Sequence, residues 1–154
     1  MHAARLYLGY AGRVNRGGVD FLEDLGRLAL FVDLPREELE TIAASAEEVS
    51  FSEGEWIIRQ GDPQSAVYVI VEGEVAVVID DEDRRVLSKG SFFGEVAVLL
   101  EEPATASIIT RTPLSCLVIQ GSAIQDFLLA HPLVTYRILK AEARRLKTAS
   151  EWRT

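Results

Sequence analysis

The sequence predicts a mainly β domain with flanking helices, in which the strands form an antiparallel β-roll of the jelly-roll or double-stranded β-helix type. Apolar residues recur at helical spacing at both ends of the chain, whereas between about residues 48 and 120 they alternate with a period of two. Gly and Asp turns interrupt this middle region at short intervals, as is typical of antiparallel sandwiches and barrels. A length of 154 residues suits one domain.

The N-terminal part predicts a tail followed by two helices. Residues 1–18 hold three Arg and no acid, and their apolar stretch is too short for a signal-peptide core. We therefore expect a tail here and a domain over residues 19–154. The first helix is predicted over Val19–Leu30, with Asp20 as its N-cap. The second follows Leu34-Pro35 and runs to about Ala46, because Pro followed by acids suits a helix start.

The middle region, about 48–120, predicts seven strands. Both faces of the run from Val75 to Ile79 are apolar, which is typical of the centre of a two-layer β fold. Cys116 alternates with apolar neighbours, so we interpret it as a small buried hydrophobe. The aromatic residues Trp56, Tyr68, Phe92 and Phe93 are expected in the core or in a pocket wall. The strands are expected at Glu48–Phe51, Trp56–Arg59, Val67–Val71, Glu74–Ile79, Arg84–Leu87, Thr105–Thr110 and Leu114–Ile119.

The C-terminal part predicts two helices over about 122–151. Ser122 is expected to cap the first, which ends near His131-Pro132, and the second begins at Leu133. Residues 131–154 hold six bases and two acids, whereas residues 37–102 hold 17 acids and four bases. The chain therefore combines an acidic β-roll with a basic last helix.

Composition excludes several function classes. A net charge of −8 argues against a large nucleic-acid interface, because phosphate neutralisation needs a basic face. One Cys excludes an internal disulfide, and two His leave almost no basis for a His-ligated metal site or a Ser-His-Asp triad. No apolar run approaches the length of a membrane span. We expect a cytoplasmic protein that is not an enzyme and has no metal, cofactor or membrane contact.

One segment carries a specific resemblance. Residues 90–108 read Gly-Ser-Phe-Phe-Gly-Glu-Val-Ala-Val-Leu-Leu-Glu-Glu-Pro-Ala-Thr-Ala-Ser-Ile. They resemble the phosphate-binding cassette of the cyclic nucleotide-binding domain family, which includes bacterial catabolite activators and the regulatory subunits of protein kinase A. Residues 54–62 and 67–75 look like the second and third motifs of that family. The similarity runs from about Phe21 to Ser150 and implies a regulatory, signalling domain with cAMP or cGMP as its ligand.

The resemblance also implies a set of ligand-binding residues. The backbone of Gly94 and the carboxylate of Glu95 would hold the ribose 2′-hydroxyl, and Thr105 would meet the cyclic phosphate. Gly90 and Gly94 permit positive φ angles, and the N-terminal amides of a short helix over Val96–Leu100 would face an anion. Ser150, in the last helix, matches a base-contacting Ser. The complete set is Phe93, Gly94, Glu95, Val96, Ala97, Ala104, Thr105, Ala106 and Ser150.

The sequence departs from the family directly after Pro103. The family carries an Arg there, paired with the nucleotide phosphate, whereas this chain has Ala104. Losing one partner of a buried charged pair costs about 2–5 kcal/mol, or roughly 30- to several thousand-fold in affinity. Three interpretations stay open. The domain binds a cyclic nucleotide weakly, another cation such as Lys89 or Arg111 substitutes, or the pocket is degenerate and the fold serves as a ligand-free interaction or dimerisation module.

The last helix is similar to the helix through which catabolite activators dimerise. We therefore expect a homodimer through this helix, or a protein partner docked on it. No DNA-binding helix-turn-helix follows it within the 154 residues. If the domain is the sensor of a transcription regulator, we expect its DNA-binding domain to lie outside this sequence.

Overall fold

The computed structural model describes residues 3–4, 13–15 and 19–151, with side chains described over 21–149. The chain divides into two compact units, Met1–Ile124 and Gln125–Thr154. Helices α1 (Val19–Arg27), α2 (Arg36–Ser45) and α3 (Glu95–Leu100) belong to the first unit. Its strands are β1 (Ala3–Ala4), β2 (Arg13–Asn15), β3 (Glu47–Phe51), β4 (Trp56–Ile58), β5 (Ala66–Glu72), β6 (Val75–Ile79), β7 (Glu82–Leu87), β8 (Phe92–Phe93), β9 (Ser107–Thr110) and β10 (Leu114–Gln120).

The described strands form two antiparallel sheets. One sheet has the order β1-β2-β3-β10-β5-β8, and the other has the order β4-β9-β6-β7. Strands β5 and β10 are apolar and buried along almost their whole length, because both of their faces are covered. The core contains side chains from both sheets, including Val49, Tyr68, Val77 and Cys116. The predicted antiparallel β-roll with flanking helices is confirmed.

The two N-terminal helices follow their apolar pattern. Leu25 of α1 and Ile42 of α2 are fully buried. Gly26 of α1 lies close to Leu39 of α2, since a Cβ on Gly26 would be 3.3 Å from a methyl group of Leu39. Pro35 is the N-cap of α2, and its carbonyl accepts the first helical hydrogen bonds. Helix α1 ends at Arg27, earlier than predicted, because the chain continues from there as hydrogen-bonded turns.

Three details differ from the sequence-based expectations. Within the expected tail, residues 1–18, strand β2 pairs with β3 in the register Arg13↔Ser50, so this part of the segment is sheet. Trp56 is 45% exposed, not in the core, because β4 is a sheet-edge strand and the Arg59 guanidinium lies 4.6 Å from its ring centroid. Ser122 caps no α-helix, since it lies within a short 3₁₀ turn.

The second unit contains most of α4 (Ile124–Ala130) and all of α5 (Pro132–Glu151). The junction of the two helices is hydrogen-bonded, because the Thr135 hydroxyl donates to the Leu128 carbonyl at 2.6 Å. The His131 ring is buried and lies 4.9 Å from the Phe127 ring, which gives this histidine a packing role. Over the described residues, no helix is both long enough and apolar enough to cross a membrane.

Candidate ligand-binding site

The cassette predicted at residues 90–108 begins as an edge of the larger sheet. The Gly90 amide donates to the Ile70 carbonyl at 2.9 Å, and the Ile70 amide donates to Ser91 at 2.8 Å. Strand β8 then pairs with β5 in the register Phe93↔Tyr68. The rings of these two residues stack with centroids 4.8 Å apart. The segment before Gly94 is therefore held rigidly on β5.

Gly94 is the N-cap of α3 and needs to be glycine for two reasons. Its φ of 86° lies in the left-handed region, which side chains with a Cβ disfavour. A Cβ at this position would also lie 2.8 Å from the Ala66 carbonyl oxygen. The close contact with β5 therefore determines where α3 begins.

Glu95 is the first residue of α3 and is 6% exposed. Its Oε2 atom is buried and accepts no hydrogen bond from the described residues, although Glu95 takes part in other polar interactions. A buried carboxylate oxygen of this kind can accept a hydrogen bond from a hydroxyl. Among its neighbours in the helix, Val96 is 37% exposed and Ala97 is buried.

The end of the cassette is anchored to the loop between β4 and β5. Helix α3 ends at Leu100, and its C-cap, Glu101, has a left-handed φ of 55° and an amide that donates to the Ala97 and Val98 carbonyls. The Ala104 amide then donates to Asp62, and the Ala104 carbonyl accepts from the Gly61 amide at 2.8 Å. Both backbone groups of Ala104 are therefore engaged in holding the loop.

The side chains that follow Pro103 alternate in exposure. Ala104 is 7% exposed and belongs to the apolar core, and Ala106 packs against that core. Thr105 between them is exposed. The structure thus places Phe93 and Gly94 before α3, Glu95 to Ala97 within it, and Ala104 to Ala106 in the segment that follows it. Ser150, the remaining predicted site residue, has a side chain outside the described residues.

Neither candidate substitute cation lies near Gly94. Lys89 pairs with Glu72 at 4.0 Å, and the Arg111 amide donates to Glu74. Glu72 is the last residue of β5 and Glu74 lies in the turn that follows it, whereas Gly94 contacts the first residue of β5, Ala66. Six residues of strand span about 20 Å, farther than a Lys or Arg side chain extends. Both bonds therefore lie at the end of β5 opposite the residue that Gly94 contacts.

Other chemistry has little support in the described part of the chain. It contains no group of three or more His, Cys, Asp and Glu side chains that could hold a metal ion. Cys116 is fully buried, and this burial raises the pKa of its thiol. A neutral, inaccessible thiol is a poor nucleophile.

Sequence reasoning missed two parts of this site. Strand β8 has two residues, so it shows no alternation that could reveal it. The anchoring of Ala104 by Gly61 and Asp62 is also not evident from the sequence, because residues 61–63 have the composition of a turn between strands. The Gly-Asp-Pro triplet at 61–63 was the available signal.

Comparison with known proteins shows which family the chain resembles. The sequence profile described as cyclic nucleotide-binding domain matches residues 48–131, more than half of the chain. A cGMP-dependent protein kinase of Plasmodium berghei is 39% identical over 94 residues, which are 61% of this chain and 11% of that protein. A putative potassium channel protein of Rhodopseudomonas palustris is 34% identical over 119 residues, 74% of this chain and 28% of that protein. The chain spans about a tenth of the length of the kinase and about a quarter of the length of the channel protein.

Solved structures share the fold. A cAMP-bound PfPKA-R fragment aligns with a TM-score of 0.70 and 19% identity over 85% of this chain and 46% of its own. The catabolite activator protein of Thermus thermophilus aligns with a TM-score of 0.69 and 25% identity over 79% of this chain and 59% of its own. The regulatory subunit of a cAMP-independent protein kinase A from Trypanosoma brucei aligns with a TM-score of 0.68 and 23% identity over 81% of this chain and 45% of its own. With the profile match and the β-roll that carries the cassette, the chain belongs to the cyclic nucleotide-binding domain family.

Proposed function

We propose that this chain is a non-catalytic sensor domain that binds a cyclic nucleotide weakly at the cassette around α3. One observation carries the proposal. Gly94 keeps a left-handed backbone against Ala66 and places Glu95 as a buried carboxylate at the start of α3. In the family to which the chain belongs, the corresponding pair holds the ribose of the nucleotide. Glu95 would therefore bind the ribose hydroxyl, and Thr105 would face the cyclic phosphate.

The low affinity follows from Ala104. An Arg at this position would form a charge-assisted pair with the phosphate, and a methyl group cannot. We expect neither Lys89 nor Arg111 to compensate, because their bonds to Glu72 and Glu74 lie at the end of β5 opposite the contact of Gly94 with Ala66. Backbone amides and Thr105 are then the groups left for the phosphate. We expect affinity below that of cassettes with Arg by roughly 30-fold or more.

Isothermal titration calorimetry with millimolar cAMP and cGMP tests this proposal. We expect saturable heat for the wild type and its loss in Glu95→Gln, which removes the charged acceptor. Glu53→Gln serves as the matched control, because Glu53 is an exposed acid in the turn between β3 and β4. The absence of both heat and a thermal shift in the wild type would contradict the proposal.

A second candidate function is a ligand-free interaction module with the same fold. Two observations favour it: the Ala104 side chain packs in the core, and both of its backbone groups are bonded to the β4–β5 loop. The neighbour described as belonging to a cAMP-independent protein kinase A has the same fold at 23% identity, so the fold by itself does not define a ligand. Tight nucleotide binding would rule out this alternative.

We also propose that α5 mediates homodimerisation. Four residues with a spacing of three and four face solvent along it: Tyr136, Leu139, Ala143 and Leu146. They match the a and d positions of a heptad repeat, which pack together in a coiled coil. In a parallel pair, Glu142 at a g position would face Lys147 at the e position of the second copy. The apolar seam and the charges beside it therefore both favour a second copy of this chain as the partner.

A further inference from the structure

The tip of the β6–β7 hairpin is a two-residue turn with a defined backbone. Asp80 and Asp81 have left-handed φ angles of 52° and 63°, and the flanking residues Ile79 and Glu82 pair with each other. This combination is typical of a type I′ turn, in which both central residues have positive φ angles and Asp is tolerated. The hairpin therefore holds Asp80 at a fixed place beside the end of β6.

The side chain of Gln60 joins the turn after β4 to this hairpin tip. Its Nε2 atom donates to Oδ1 of Asp80 at 3.1 Å, and its Oε1 atom accepts from the Asp80 backbone amide at 2.9 Å. The carboxamide of Gln60 thus bonds one residue through both its donor and its acceptor. Two such bonds fix the orientation of the side chain as well as its distance from the hairpin.

The backbone of the same turn holds the end of the cassette. The Gln60 amide donates to the Ser107 hydroxyl at 2.9 Å. The Gly61 amide donates to the Ala104 carbonyl at 2.8 Å, and the Ala104 amide donates to the Asp62 carbonyl at 2.9 Å. Three consecutive residues, 60–62, therefore bond both the segment after Pro103 and the first residue of β9.

We propose that Asp80 is a positioning residue for the candidate ligand site and that it acts through Gln60. The bonds with Asp80 hold the turn at 60–62, and this turn holds the backbone of Ala104. Thr105, which would face the cyclic phosphate, is the next residue. Ser107 completes the connection, because β9, to which it belongs, pairs with β6. The effect on Ala104 needs no ligand, whereas the effect on nucleotide affinity rests on the proposed function.

An exchange of donor and acceptor tests the pair. Gln60→Glu removes the donor and brings two carboxylates together, so it should break the contact with Asp80. Adding Asp80→Asn supplies an amide donor at position 80, so the bond should form again in the reversed direction. Gln60→Glu with Asp81→Asn is the matched control, because it has the same net charge as the exchanged pair. It also changes the other left-handed residue of the turn, which the Gln60 side chain does not bond among the described residues.

Hydrogen exchange of the whole chain without nucleotide measures how firmly the cassette end is held. The Gly61 and Ala104 amides should exchange at least about threefold faster in Gln60→Glu and in the matched control. Both rates should return to those of the wild type in Gln60→Glu with Asp80→Asn. The amide of Val118, a residue of β10 that is paired on both sides, reports opening of the whole fold and should accelerate less.

Calorimetric titration of the same proteins with cAMP tests the consequence for the ligand. The affinity should fall at least about twofold in Gln60→Glu and should recover with Asp80→Asn but not with Asp81→Asn. Exchange rates that stay at the wild-type value in Gln60→Glu, an equal acceleration of Val118, or equal rates with Asp80→Asn and Asp81→Asn would each overturn the inference. Exchange that is restored by Asp80→Asn in a chain without cAMP binding would support the positioning of Ala104 and contradict the proposed function.

Discussion

The carbonyl oxygen of Ala66 lies 2.8 Å from the position that a Cβ on Gly94 would occupy. This contact joins the first residue of β5 to the N-cap of α3. It fixes where the helix starts and therefore where the Glu95 carboxylate lies. The cassette is therefore anchored on β5, and the contribution of this contact to the free energy of unfolding can be measured without a ligand.

Gly94→Ala should destabilise the fold by about 2–5 kcal/mol, from left-handed strain together with the overlap with Ala66. Gly54→Ala is the matched control, because Gly54 has a φ of 81° but a Cβ there would meet nothing within 4 Å. It should cost about 1–2 kcal/mol from strain alone. Urea unfolding measures both free energies. Equal losses in the two variants would contradict the role of the Ala66 contact.

Phe93→Ala should lower the free energy of unfolding by about 3–5 kcal/mol, because Phe93 is buried and stacks on Tyr68. Trp56→Ala removes a larger aromatic side chain from an exposed edge and should cost about 1 kcal/mol or less. Urea unfolding compares the two. A larger loss for Trp56→Ala would show that the assignment of the core is wrong.

Burial predicts that Cys116 is unreactive in the folded protein. Its pKa is raised from the ordinary value of 9.0 by desolvation, so the thiol stays protonated when folded. Ellman's reagent at pH 8 should label it after unfolding in guanidinium and not before. Rapid labelling of the folded protein would contradict this prediction.

The same raised pKa makes stability depend on pH. Below the ordinary thiol pKa both states are protonated, so the contribution of Cys116 is fully present. Above it the unfolded state loses the proton first, and stability falls by up to ~1.4 kcal/mol per pH unit until the folded-state pKa is passed. Urea unfolding at pH 8 and pH 10 measures this effect. The free energy of unfolding should fall less between these two pH values for Cys116→Ala than for the wild type. An equal fall for the two proteins would contradict the prediction.

Leu146→Lys should weaken self-association at least about tenfold, since it places a charge in the apolar seam of α5 in both copies. Leu129→Lys is the matched control, because Leu129 is equally exposed at 73% but lies in α4, outside the seam. Sedimentation equilibrium measures both dissociation constants. A wild-type chain that remains monomeric, or equal effects of both variants, would contradict dimerisation through α5.

The sequence predicted the strands and helices of the fold wherever the pattern of apolar residues continued over several positions. The apolar runs over Val75–Ile79 and Leu114–Gln120, bounded by turn residues, placed these strands to within a residue or two. Trp56 was misplaced because aromatic character does not distinguish an edge strand from a central one, and pairing order depends on distant residues.

The site was predictable in part. The sequence marks Gly94 and Glu95 as candidates because the cassette is contiguous in sequence. The residues that hold the cassette in place could not be predicted in this way. Ala66 and Asp62 lie tens of residues away from it and contact it through backbone atoms, which carry no residue-specific signal.

The most direct test of the central claim, that Ala104 limits affinity for cyclic nucleotides, is calorimetric titration of Ala104→Arg with cAMP and cGMP. Thr41→Arg is the matched control, because it adds the same charge at an exposed position of α2, outside the cassette. We predict at least about tenfold tighter binding for Ala104→Arg and a much smaller gain for Thr41→Arg. A folded Ala104→Arg protein that binds no tighter than the wild type would contradict it.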